Sequence, residues 1–203
     1  MDNAVALVQA YLRLNGYFTV TEYPVIATKR DGTYRTATDL DVLAFRFPHA
    51  GRLVPGRRVG RDDDIVTIDE ALSTAADHAD MLIGEVKEGR AELNEAASDP
   101  AVVRAVLAGF GCCSREEALN VATTLVRDGH ATLPNGHRAR TVIFASLVGD
   151  AGSPHLVVSL GHVVEFLQRY VNEHWEMLRH SDHKDPAFGF LMTLAKAERG
   201  LSP

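Results

Sequence analysis

Residues 79 to 89 read ADMLIGEVKEG. Apolar side chains run without a break from Met81 to Ile83, which suits a strand covered on both faces rather than one with a wet side. A strand of that kind needs other layers packed on it, so the stretch points to an α/β or α+β chain and away from a helical bundle. Past Gly84 the character changes. The two-residue period of a strand places Ile83, Glu85 and Lys87 on one face and Leu82, Gly84 and Val86 on the other.

Upstream, YFTVTEYPVI (17 to 26) is rich in β-branched and aromatic residues, and Asp31-Gly32 is the signal of a tight reversal. The run from 35 to 47 is therefore predicted to return antiparallel to the first strand. It contains TDLDVLAFRFP (38 to 48), where uniform alternation puts Asp39, Asp41, Leu43 and Phe45 on one face and Leu40, Val42 and Ala44 on the other. Before these strands, Val5, Leu7, Val8, Tyr11, Leu12 and Leu14 recur at spacings of three and four, the pattern of an amphipathic helix over 2 to 15 that Asn15-Gly16 stops. Residues 48 to 79 read as loop with some helix around IDEALSTAADHAD.

Downstream, Asp99-Pro100 supplies a cap followed by proline at the first helical position, and Ser114 with Glu117 forms a capping box. TVIFASLV (141 to 148) and HLVVSL (155 to 160) read as strands, and the chain from Gly161 to about Arg199 as helix with a polar break at HSDHKDPAFG. The predicted order is α-β-β-β-α-α-β-β-α-α: one domain over 1 to 203 with a mixed central sheet flanked by helices, a helical insertion at about 90 to 130, and C-terminal helices.

The formal net charge of -6 argues against a global positive field for nucleic acid. Local basic patches remain: Arg52, Arg57, Arg58 and Arg61 lie in the loop GRLVPGRRVGR, and HRAR (137 to 140) adds two more arginines. Each patch reads either as a phosphate contact or as a solvated loop. Cys112 and Cys113 are the only cysteines, so no disulfide framework is expected and a reducing compartment fits. No apolar run is long enough for a membrane span, and the first residues lack the pattern of a signal peptide, so a cytoplasmic location is expected.

If the strands carrying Asp41 and Glu85 are neighbours, with roughly 4.8 Å between backbones, Asp41, Glu85 and Lys87 meet at one point. Two carboxylates and an ammonium suit a hydrated hard cation and a phosphodiester. Asp41, then Glu85-Val86-Lys87 on the next strand, after an N-terminal helix and a first strand, resembles the PD-(D/E)xK nuclease superfamily, over roughly residues 3 to 90. The sequence departs from the literal motif in having Leu40 in place of proline, and it offers Asp2 rather than a glutamate at the first helix. The resemblance implies a restriction-endonuclease-like fold and a nuclease dependent on Mg2+ or Mn2+. Asp41 and Glu85 would be metal ligands and Lys87 the catalytic lysine, with Asp39 and Glu22 auxiliary. DNA is the implied substrate, with RNA second. Cutting both strands of a duplex needs two sites, which suits a homodimer.

Other readings stand beside this one. Glu85 and Lys87 also read as a charge pair on an edge strand, and a nuclease fold also serves inactive binding or scaffold proteins. Residues 100 to 146 read as a winged helix-turn-helix, although Glu116 and Glu117 put the wrong charge where that motif meets DNA. Asp182-His183-Lys184 repeats the acid-x-Lys spacing without an apolar strand before it. His174, His180 and His183 lack the spacing of a zinc protease, and there is neither a G-x-S-x-G elbow nor a phosphate-binding P-loop.

Overall fold

The computed structural model describes residues 2–54, 63–65, 68–74, 77–149 and 153–200. The N-terminal helix is α1 (Asn3–Leu14), capped by the Asp2 carboxylate on the Ala4 N–H and closed at Asn15 and Gly16, whose φ of 84° only glycine adopts freely. The Asp-Gly reversal joins β1 (Phe18–Thr28) to β2 (Tyr34–Arg46) as an antiparallel hairpin. Two three-residue strands follow, β3 (Arg52–Val54) and β4 (Asp63–Ile65), paired only with each other. Where helix is expected around IDEALSTAADHAD, the described residues form a single 3-10 turn at Glu70–Leu72. The decisive stretch is β5 (Asp80–Arg90).

The insertion contains α2 (Pro100–Phe110) and α3 (Ala118–Asp128). Asp99 caps the first, and Ser114 and Glu117 exchange the two bonds of a capping box at 3.0 and 3.2 Å ahead of the second. Then come β6 (His130–Thr132), β7 (Arg138–Leu147) and β8 (Leu156–Ser159), and finally α4 (Leu160–Glu173), the short α5 (Trp175–Leu178) and α6 (Pro186–Glu198).

The main sheet runs β1-β2-β5-β7-β6, with β8 also on β7. β5 is antiparallel to β2 and parallel to β7, so the sheet is mixed. β6 and β8 share the far edge of β7, the first beside Arg138–Arg140 and the second beside Val142–Ala145. TVIF, read above as a possible wing, lies inside this sheet as part of β7.

Both faces are covered. On one side Val42, Ala44, Leu82, Val142 and Phe144 pack with α1, α4, α5 and α6. On the other, Leu40, Leu43, Met81, Ile83 and Ala139 pack with α2 and α3. Burial on both faces is why Met81, Leu82 and Ile83 are continuously apolar. Among the described residues no helix is long and apolar enough to cross a membrane.

Uniform alternation fails at one place. Leu40 faces the same side as Leu43 rather than the side of Val42 and Ala44. Across the ladder, Val20 opposes Leu43, Tyr23 opposes Leu40, and Glu22 between them sits at φ 54°. A residue in the left-handed region does not continue an extended pleat, so both strands of the hairpin change parity together at Glu22 and Asp41. Asp39 therefore does not share a face with Leu43 as the even pattern predicts.

Candidate functional site at the fork between strands two and five

The pairing of β2 with β5 runs from Arg46↔Asp80 to Val42↔Gly84 and stops there. One step further the strands diverge, and the Val86 N–H donates to the Asp41 carboxylate at 2.7 Å instead of to a backbone carbonyl. Asp41 is thus fixed at the crotch of a fork. Glu85 and Lys87 project from β5 beside it, with Lys87 Nζ 2.5 Å from Glu85 Oε1. The Glu85 side chain is only 5% exposed and that of Lys87 35%, so the ammonium covers the acid from the solvent side.

The charges in this cluster act on one another. Burial pushes the Asp41 carboxyl above its ordinary range, against the Val86 hydrogen bond and the Lys87 charge, and the Asp2 and Glu22 carboxylates add to the rise. Burial likewise raises Glu85, Lys87 opposes it by hydrogen bond, and the charge of Asp41 raises it further. Two half-desolvated carboxylates facing each other are each less comfortable as anions than in water, and a proton or a hard cation between them relieves both. Asp2 is held close by its capping role on α1, and Glu22 by the kink in β1.

The remaining expected residues fall elsewhere. Asp39 is exposed opposite Pro24 in the β1–β2 ladder. Arg52 belongs to β3, whose backbone alone is described, and Arg57, Arg58 and Arg61 lie outside the described residues. The arginines of HRAR are committed to a buried acid. Arg140 is buried and grips Asp80 through Nε and Nη2, the latter at 2.7 Å, and it also donates to the Leu72 carbonyl. Arg138 holds the same carboxylate at 3.0 Å, and Tyr17, its hydroxyl pushed up to about 12 by burial and Asp80, donates to it at 2.5 Å. A charge buried this deeply needs such partners, so the run that reads as a basic loop is a structural clasp. The second acid-x-Lys triplet is a solvent-exposed Lys184–Asp182 pair.

A second polar cluster was invisible in the sequence. Asp69 receives Tyr11 Oη at 2.8 Å, pairs with His162 Nε2 at 2.6 Å and caps the Ala71 N–H at 3.0 Å. A cavity of about 550 Å3 opens beside it, bounded by Glu70, His162, Phe166, Arg169, Tyr170 and Glu173. Tyr11 lies nine residues along α1 from Asp2, about 13 Å by helical rise, so this cavity is separate from the fork. No local motif links positions 11, 69 and 162, which only the tertiary fold brings together. Cys112 and Cys113 are free thiols at the turn between α2 and α3, and burial pushes Cys112 up to about 11, which makes it a poor nucleophile.

Comparison with protein-family models, curated proteins and solved structures finds no match to this chain. Among the described residues, no group of three or more His, Cys, Asp or Glu side chains is gathered to hold a metal ion.

Proposed function

We propose that the chain is a metal-dependent nuclease of the restriction-endonuclease-like type, hydrolysing phosphodiesters in DNA. The observation that carries this reading is the fork itself. Asp41, pinned by the Val86 N–H, stands next to Glu85 and Lys87 where the ladder between the two strands ends.

The residues fit a magnesium-sized ion. Mg2+ commonly takes one or two protein carboxylates and completes its shell with water and substrate phosphate, so a third protein ligand is not required. Asp41 and Glu85 would hold the ion, which when bound supplies Lewis acidity toward a phosphate oxygen and a more acidic water. Lys87 then has two tasks. Its ammonium balances Glu85 in the resting site, and it donates to a phosphate oxygen as negative charge builds on phosphorus. Asp2 and Glu22 deepen the negative potential at Asp41, which draws a divalent cation into the fork. The low exposure of Glu85, 5% of its side chain, strengthens each of these interactions.

A second reading draws on the absence of a three-ligand cluster among the described residues. On it the fork is a relic and the protein binds nucleic acid without cutting it. One assay separates the two. Plasmid, single-stranded DNA and RNA are incubated with Mg2+ or Mn2+ and, in parallel, with EDTA. Cleavage that needs the metal and disappears in Asp41→Ala and in Lys87→Ala supports the nuclease. Cleavage unchanged in either variant, or its absence under all metal conditions, removes it.

A further inference from the structure

The β1–β2 hairpin reaches well beyond the sheet. β5 pairs with β2 only over Val42–Arg46, and the last side chains of the hairpin that enter a core are those around Val25 and Leu40. From Ile26 to Thr36 every residue except Ala27 is exposed, with Tyr34 at 74% and Ile26 at 57%. The projecting part is nonetheless well formed. Its ladder pairs Ile26↔Thr36, Ala27↔Arg35 and Thr28↔Tyr34, a register shift between Val25 and Ile26 bends it, and Lys29 N–H closes the tip on Thr33 at 2.7 Å.

The charge of this ribbon opposes that of the chain. KRDGTYR, residues 29 to 35, carries three cations and one carboxylate, a local charge of +2 in a protein of net charge -6. The single acid is turned on its own backbone: Asp31 accepts from the Thr33 hydroxyl at 2.6 Å and from the Thr33 N–H at 2.9 Å. Lys29, Arg30 and Arg35 have no ion pair among the described residues, and all three are exposed. Three unpaired cations and an exposed tyrosine cost nothing to hold in water, but they give the ribbon no fold-stabilising role.

We infer that this ribbon is a docking arm for double-stranded DNA, entering the major groove with Lys29, Arg30 and Arg35 on the flanking phosphates and Tyr34 against the sugar edge. A two-stranded β-ribbon matches the width of the B-form major groove, whereas the major groove of A-form RNA is too deep and narrow for side chains to read. The inference deepens the proposed nuclease reading, since it names the substrate as duplex DNA and sets where it lies. Arg35 is six residues from Asp41 along β2, roughly 20 Å of strand. The register shift and the kink at Glu22 shorten that path, so the gripped groove and the phosphate at the fork would lie within about 20 Å of each other.

The test is a salt titration of binding, in EDTA so that no chemistry intervenes, with a fluorescein-labelled DNA duplex of about 24 base pairs followed by anisotropy. Three phosphate contacts are worth about 2.7 in the slope of log K against log salt and on the order of 100-fold in affinity at moderate salt. The triple variant Lys29→Ala/Arg30→Ala/Arg35→Ala is expected to lose both, while Arg30→Lys/Arg35→Lys keeps the slope. Because all three residues are exposed, the variants should melt as the wild type does. Equal slopes in wild type and triple variant overturn the proposal, as does wild-type protein that fails to bind the duplex. So does a matching RNA duplex that is held as tightly and loses as much. If the expected contrast appears but Mg2+ then yields no cleavage, the docking arm stands and the nuclease reading of Asp41 falls.

Discussion

Asp41 sets local structure with the same carboxylate that the proposed reaction would use. It replaces a backbone carbonyl as acceptor for Val86 N–H, and its charge acts on Glu85 at the end of the β2–β5 ladder. Its pKa is raised on folding, so ionised Asp41 costs stability at neutral pH, and the cost is relieved as pH falls through the raised value or when the charge is removed. Asp41→Asn keeps an acceptor for Val86 and is expected to raise the melting temperature in EDTA by a few degrees while abolishing cleavage, a trade common at active sites. Mg2+ should raise the melting temperature of the wild type and leave that of Asp41→Asn unchanged in the same thermal scan. For the proposed reaction, Lys87→Ala is expected to lower kcat by on the order of 10^2 to 10^4, measured on supercoiled plasmid under saturating Mg2+. The nearness of Asp41 to Glu85 and Lys87 was legible only because β2 and β5 are sheet neighbours; the period of β5 sets Glu85 and Lys87 on one face, whereas Asp41 lies where the period of β2 breaks. Asp2 was noticed only as the sole acid at the first helix. Its effect on Asp41 arises because a helix cap happens to lie over a strand kink, which no spacing encodes.

Among the elements, β5 fixes where the site can be. Gly84 immediately precedes Glu85, and a Cβ there would stand 3.2 Å from Leu82 Cδ2, 3.3 Å from Val42 Cβ and 3.4 Å from Phe144 Cε2. All three neighbours are fully buried and have nowhere to yield. Gly84→Ala is expected to destabilise by about 1–3 kcal/mol in denaturant titration through overpacking, and to shift Glu85 enough to weaken cleavage. The Glu70–Leu72 turn depends on Asp69 in a different way. Burial lifts the Asp69 carboxyl, but the bonds from Ala71, His162 and Tyr11 outweigh it and hold the group below its usual range. The stability this adds is present above the unfolded value of about 3.9 and is lost as pH falls through the lower folded value. Asp69→Asn should therefore be less stable than wild type by about 1–3 kcal/mol near neutrality, with the gap closing in acid, as thermal melts over a pH series would show. The order of the longer elements followed from periodicity and caps, with the Ser114–Glu117 box forming as expected, whereas the three-residue strands β3, β4 and β6 and the 3-10 turn at Glu70–Leu72 are too short to leave a periodic signal. Nor was the parity change at Glu22 and Asp41 legible, because a left-handed φ at a glutamate has no compositional signal comparable to glycine.

At the scale of the whole molecule, one end of the sheet is locked by the Asp80 clasp, which ties β5 to β7 through Arg138 and Arg140, to Tyr17 ahead of β1, and to the 3-10 turn through Leu72. Removing one partner leaves buried charge behind. Arg140→Met is expected to cost about 3–5 kcal/mol, and pairing it with Asp80→Leu should recover much of that loss in the same chemical denaturation series. HRAR looked like surface because a run of four residues with three polar ones usually is. Only the tertiary position of Asp80, itself hidden at the head of an apolar strand, turns the run inward. The opposite end of the sheet carries the fork and the projecting ribbon, so the locked end and the proposed site lie apart.

The way the sheet's borders are finished bears on how the protein behaves in a crowded solution. On the far side, β7 offers its outer edge to two short strands of three and four residues that occupy different halves of it. On the near side, β1 is eleven residues long, yet it is kinked at Glu22, lacks an amide hydrogen at Pro24 and is bent just beyond Val25 by the extra residue, Ala37, that β2 carries opposite it. Neither border presents a straight row of free amides and carbonyls onto which a second chain can zip. A mixed sheet with aromatic residues as exposed as Phe18 at its margin would otherwise invite strand-to-strand fibre growth. Straightening β1 by replacing Pro24 with a β-branched residue should therefore reveal itself as concentration-dependent turbidity well before any change in melting temperature.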